Sequence, residues 1–96
     1  MILSFGDKMT EELFHGESTS KTRKFPADLK NIALRKLDMI NAAHIAQDLK
    51  VPPGNRLEIL KGDLSGFYSI RINDQFRIIF KFKDSNATQV RVVDYH

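Results

Sequence analysis

The segment Val51-Pro52-Pro53-Gly54-Asn55 constrains this chain more than any other. Its two prolines lack the N–H that helix interiors and central strands require, and Gly54 adds a second break. The apolar residues follow different periods on its two sides. Before it, Leu29, Ile32, Ala33, Leu37 and Ile40 recur at helical spacing. That spacing predicts a helix over residues 26–43, with Pro26 at its first position. After it the period becomes two, and strands are expected over residues 57–60, 67–72, 76–82 and 88–94. Asn73-Asp74-Gln75 and Asp84-Ser85-Asn86 mark turns between them.

The first 25 residues add less. Residues 1–5 read as a short strand. Asp7 or Thr10 caps a short helix through His15, with Glu11 and Glu12 in its first turn and Gly16 ending it. Ser18-Thr19-Ser20-Lys21 reads as a polar loop. The expected order is β-α-α-β-β-β-β, an α+β fold with helices on one face of a largely antiparallel sheet.

Ninety-six residues make one domain, expected to span 1–96. The 42% hydrophobic content, with seven Phe, suits a folded globule. The absence of cysteine excludes disulfides, Cys-ligated zinc and a thiol nucleophile, and suits a reducing, cytoplasmic setting. Residues 1–8 lack a basic and then apolar signal-peptide pattern, and no apolar run approaches the roughly 20 residues that span a bilayer. No membrane partner is therefore expected. The charge of +3 is mild but unevenly spread. Between residues 18 and 36 lie Lys21, Arg23, Lys24, Lys30, Arg35 and Lys36 against the single acid Asp28. Such a segment attracts polyanions or an acidic partner, or simply forms a solvated face.

The register of the central hairpin follows from its pattern. Tyr68, Ile70 and Ile72 share a face with Phe76, Ile78, Phe80 and Phe82 only if Ile72 lies opposite Phe76 across a three-residue loop. Arg71 then faces Arg77 directly on the other side of the sheet. Opposed like charges destabilise a sheet, and either a bound anion or splaying into water relieves the cost. Asp94-Tyr95-His96 brings a carboxylate, a phenol and an imidazole together after a β-rich stretch that carries Lys61, Arg71 and Arg77. Imidazole exchanges protons near neutral pH, and Arg and Lys hold phosphate. The combination fits phosphodiester cleavage; the bland alternative is a frayed end. His15 and His44 read as surface or helix-end residues, and the three histidines show no metal-ligand spacing. The stripe Phe76, Phe80 and Phe82 reads as core.

The runs Pro52-Pro53-Gly54-Asn55-Arg56-Leu57-Glu58-Ile59-Leu60-Lys61-Gly62-Asp63 and Phe67-Tyr68-Ser69-Ile70-Arg71-Ile72-Asn73-Asp74-Gln75-Phe76-Arg77-Ile78, with the Asp94-Tyr95-His96 ending, resemble the HigB toxins of the RelE/ParE toxin superfamily. The resemblance covers nearly the whole chain. It implies a RelE/ParE-like fold, two helices on one face of a curved, mostly antiparallel sheet whose concave face holds the site. It also implies a ribosome-dependent endoribonuclease that cuts messenger RNA, needs no cofactor and is neutralised by a HigA-type antitoxin. Operator DNA would be met only through that antitoxin. By the same resemblance His96 is the acid or base, Tyr95 orients or stacks on a nucleotide, and Asp94 orients His96 or shares the proton work. Arg77 and Lys61 would hold the scissile phosphate. Arg71 and Arg56 are further phosphate contacts chosen from charge and placement, and Lys21, Arg23 and Lys24 would face ribosomal RNA or the antitoxin.

One position departs from the pattern. Some HigB toxins carry a second histidine where this chain has Glu58. Either Glu58 replaces that histidine as a base, or it has no catalytic part and the toxin is weaker. Two rival functions share these features. A ParE-type growth inhibitor would have the same fold but poison gyrase, and a non-catalytic module would bind RNA or a partner and cleave nothing.

Overall fold

The structure, a computed structural model, describes residues 1–94. Helix α1 spans Lys8–Phe14; Asp7 caps it, its Oδ1 accepting from the Thr10 N–H at 2.9 Å. His15 follows, and Gly16 leaves the helix with φ +72°, a left-handed value that favours glycine. A second helix, α2, spans Ser20–Arg23 where a polar loop was expected. The Thr19 side chain accepts from the Thr22 N–H and the Thr22 side chain from the Thr19 N–H, a reciprocal capping box that closes this one turn. The longer helix splits at its start into a 3-10 turn, Ala27–Leu29, and α3, Lys30–Ala42. Ala33, Leu37 and Ile40 of α3 are buried, so the predicted stripe is the buried one. Further 3-10 turns, Ala46–Lys50 and Pro53–Asn55, carry the chain to the sheet.

The sheet contains β1 (Glu58–Ile59), β2 (Tyr68–Arg71), β3 (Phe76–Lys83) and β4 (Asn86–Asp94), in that order and antiparallel throughout. β1 is shorter than the expected strand because only two of its residues pair with β2. Asp84 and Ser85 both have positive φ, as the tight turn between β3 and β4 requires. Asn73 Oδ1 accepts from the Gln75 and Phe76 N–H groups and fixes the turn between β2 and β3.

Residues 1–5 do not form the predicted strand. They make two isolated parallel bridges to the outer edge of β4, Ile2 with Ala87 and Phe5 with Val90. The cause is a bulge in β4: the register shifts between Ile79 and Lys81 of its partner, and Gln89 takes φ +55°. A regular ladder cannot run past that irregularity. Farther along the same edge the Val92 N–H donates to Thr10 Oγ1 at 2.9 Å, which ties α1 to the sheet.

The helices cover one sheet face. Leu37 and Ile40 join Ile70, Ile78, Phe80 and Val90 in a single core, each fully buried. Burying side chains of this size contributes about 1.5–3 kcal/mol each. Phe80 stacks on Tyr68 at 5.9 Å and meets Phe82 edge-on. Phe76 and Phe82 are only partly buried, so the aromatic stripe is core at Phe80 and boundary at its ends. The buried Asn55 side chain accepts from Lys36 Nζ and donates to the Leu49 carbonyl, which pins the proline-rich turn against α3. Among the described residues, no helix is long and apolar enough to cross a membrane.

Candidate active site

The sheet face away from the helices carries the charged residues, because alternation along each strand sends every second side chain there. Arg71 lies directly across from Arg77, as the hairpin pattern requires. The next rows on the same face pair Ser69 with Ile79 and Glu58 with Ser69 on the β2 side, and Ile79 with Arg91 and Arg77 with Val93 on the β4 side. Arg71, Arg77, Arg91 and Glu58 thus share one surface around a small apolar patch. Ser69 is fully buried within it, and its Oγ has no hydrogen-bond partner among the described residues.

Each of the two facing arginines has a carboxylate beside it. Arg71 Nη2 pairs with Asp74 Oδ1 from the adjoining turn. Arg77 Nη1 lies 3.7 Å from Glu58 Oε1. The environments differ: the Arg77 side chain is 14% exposed and its carboxylate partner 49%, whereas Asp74 is 97% exposed. The Arg77 pair therefore stands in a less screened setting.

A second cationic group borders Arg71. Burial holds the Lys36 ammonium below the ordinary lysine range, and the nearby charges of Arg35 and Arg71 push the same way. Lys36 and Arg35 belong to the basic stretch of the sequence but were not singled out there. No spacing rule places a residue of α3 beside β2. Arg91, by contrast, was readable: it alternates with the buried Val90 and Val92.

The remaining candidates occupy several places. Asp94 ends β4 opposite Phe76, and its Oδ2 accepts from Gln75 Nε2 at 3.0 Å. By alternation it lies on the Phe76 side of the sheet, not on the Arg77 side. Tyr95 and His96 lie outside the described residues. Lys61 is exposed at the start of the 3-10 turn Gly62–Leu64. Arg56 is exposed with φ +48° at the end of the turn after Pro53. Lys21, Arg23 and Lys24 are exposed on and just after α2. His15 caps the end of α1 and touches the Phe5 and Phe14 rings; His44 is exposed after α3.

This arrangement of short helices on one face of a four-stranded antiparallel sheet is shared with solved structures. A YoeB-YefM complex from Staphylococcus aureus aligns over 100% of this chain and 98% of its own, with TM-score 0.62 and 18% identity. YafQ from E. coli aligns over 98% of this chain and 91% of its own, with TM-score 0.59 and 15% identity. These likenesses define the class by its fold alone, a small α+β domain. Sequence defines the family. The model described as "RelE-like toxin of type II toxin-antitoxin system HigB" matches residues 3–96. Toxin HigB-1 of Vibrio cholerae serotype O1 is 42% identical over 87 residues, 91% of this chain and 90% of that protein. The chain belongs to the HigB family of RelE-like toxins of type II toxin-antitoxin systems.

Proposed function

We propose that this toxin is a ribosome-dependent endoribonuclease that cuts messenger RNA, stops translation and arrests growth, and that a HigA-type antitoxin neutralises it in the bacterial cytoplasm. The observation that carries the proposal is the facing pair Arg71 and Arg77 on the open face of the sheet, in a chain of the HigB family. Paired guanidiniums on a rigid ladder form a fixed cradle for a phosphate.

In the proposed reaction the RNA 2′-oxygen bonds to the adjacent phosphorus as the P–O5′ bond breaks. A base takes the 2′-hydroxyl proton and an acid delivers one to the 5′-oxygen, which leaves a 2′,3′-cyclic phosphate. His96 serves as acid or base, with Tyr95 and Asp94 positioning the terminal segment and its nucleotide. Arg77 and Lys61 hold the charge that develops on the phosphoryl oxygens, and Arg71 and Arg56 hold neighbouring phosphates. Lys21, Arg23 and Lys24 contact RNA. Glu58 does not serve as the base in this scheme. It neutralises Arg77 until a phosphate arrives.

Purified ribosomes programmed with a messenger RNA test the proposal. The wild type is expected to yield fragments with cyclic phosphate ends, and Arg77→Ala and His96→Ala to lower cleavage at least about 100-fold. Growth arrest by all three proteins, with intact messenger RNA, would refute it and favour a gyrase-type or binding mechanism.

A further inference from the structure

A cavity of about 310 Å³ opens beside the end of the sheet, lined by Met9, Lys21, Lys24, Phe25, Pro26 and Phe76. It is built from three separate elements: Met9 from α1, the lysines from α2 and its end, and Phe76 from the first position of β3. Its floor is apolar and aromatic. The Phe25 and Phe76 rings lie 5.1 Å apart, tilted at 58°. The polar groups among its lining residues' side chains are two exposed ammonium groups.

We propose that this cavity takes one nucleobase of single-stranded RNA, stacked against Phe76, whose ring the buried Phe25 backs, with flanking phosphates on Lys21 and Lys24. This rests on the ribonuclease reading and extends it to a second nucleotide site. An aromatic floor with a cationic rim matches an unpaired nucleotide, because every base has a π-face and a phosphate on either side. The volume lies at the small end of ligand pockets, about 300–1,000 Å³, as one base and its sugar require. The position is continuous with the candidate active site. Phe76 precedes Arg77 in β3, and alternation sends the two side chains to opposite faces at the end of the sheet. An RNA strand that turns over this rim lays a phosphate on Arg77 and a base, a few nucleotides along, on Phe76. Asp94 faces Phe76 across the β3–β4 ladder and is exposed.

The test is a nuclear magnetic resonance titration of the whole chain with a single-stranded RNA hexamer and with the same hexamer lacking its bases. The natural hexamer is expected to shift the Met9 methyl and the Phe25 and Phe76 ring signals and to show contacts from base protons to the Phe76 ring. The abasic hexamer should bind at least about five-fold more weakly and leave the ring signals in place. Lys21→Ala with Lys24→Ala, both exposed, should weaken the natural hexamer about five-fold or more without changing the fold; Phe76→Leu should remove the base contacts while its folded spectrum persists. Equal binding of the two hexamers, or base contacts confined to other surfaces, would overturn the proposal. So would tighter binding in the cavity by an acidic, apolar peptide than by RNA, which would assign it to a protein partner. The readout is independent of cleavage. Cleavage without base contacts at Phe76 sinks the cavity assignment alone, and base contacts without cleavage on ribosomes sink the ribonuclease reading alone.

Discussion

Replacing Glu58 with Gln removes one negative charge beside Arg77 and almost nothing else. Glu58 sits on the two-residue edge strand β1 and its side chain is half exposed, so the isosteric amide fits without repacking. The charges stand 3.7 Å apart. At an effective dielectric of about 20, Coulomb's law gives about 4.5 kcal/mol for such a pair. Solvent screening at a half-exposed carboxylate and the entropy of holding the side chains reduce the net value to about 0.6–1 kcal/mol. A phosphate that binds Arg77 must displace Glu58, and Glu58→Gln relieves it of that competition. RNA affinity is therefore expected to rise about three- to five-fold, with the catalytic step unchanged. A general base behaves differently: its loss costs the chemical step about 100- to 10,000-fold. Single-turnover cleavage on purified ribosomes, with toxin in excess and its concentration varied, separates affinity from rate. A 100-fold slower step at unchanged affinity would refute the competition and make Glu58 the base. Unchanged affinity and unchanged rate would refute it as well and remove Glu58 from the site.

Thr10→Val removes the oxygen that accepts from the buried Val92 N–H, and is expected to destabilise the fold by about 1–3 kcal/mol in urea unfolding. Asp48 accepts from the His44 and Ile45 N–H groups, which hold its carboxyl below the usual aspartate range. A depressed carboxyl contributes stability above its unfolded value and loses it as pH falls through the folded one. Asp48→Asn should therefore melt below the wild type at pH 7, with the gap closing as pH drops below about 4. Reversal of Lys21, Arg23 and Lys24 to Glu should weaken co-sedimentation with ribosomes at physiological salt; unchanged co-sedimentation would remove α2 from the ribosome contact.

What could be read from the sequence was governed by local periodicity. The facing of Arg71 and Arg77 followed from two apolar stripes that can share a core only in one register. The carboxylates that answer those arginines were harder to foresee. Asp74 lies in a turn, and Glu58 reaches Arg77 only because β1 returns to pair with β2. Helix α2 was missed although Thr19 and Thr22 stand at capping-box spacing, since a single polar turn has no apolar stripe to announce it. The N-terminal residues pair less than their pattern predicts because the bulge at Gln89 belongs to their partner strand, 85 residues along the chain. The cavity beside Phe76 was invisible for the same reason: its walls come from α1, α2 and β3.

Under the proposed ribonuclease function, the two arginine pairs give an order for RNA engagement. Asp74 is almost fully exposed on a turn, so Arg71 gives up its partner at little cost and can meet the first phosphate. That phosphate brings negative charge toward Lys36, whose ammonium burial and the Arg35 and Arg71 charges disfavour, and so relieves the repulsion around it. Arg77 is mostly buried and its carboxylate half so, which makes exchange there the costlier event. A strand anchored first at Arg71 presents its neighbouring phosphate to Arg77 at high local concentration, and the ladder spacing of the facing pair sets which phosphate that is.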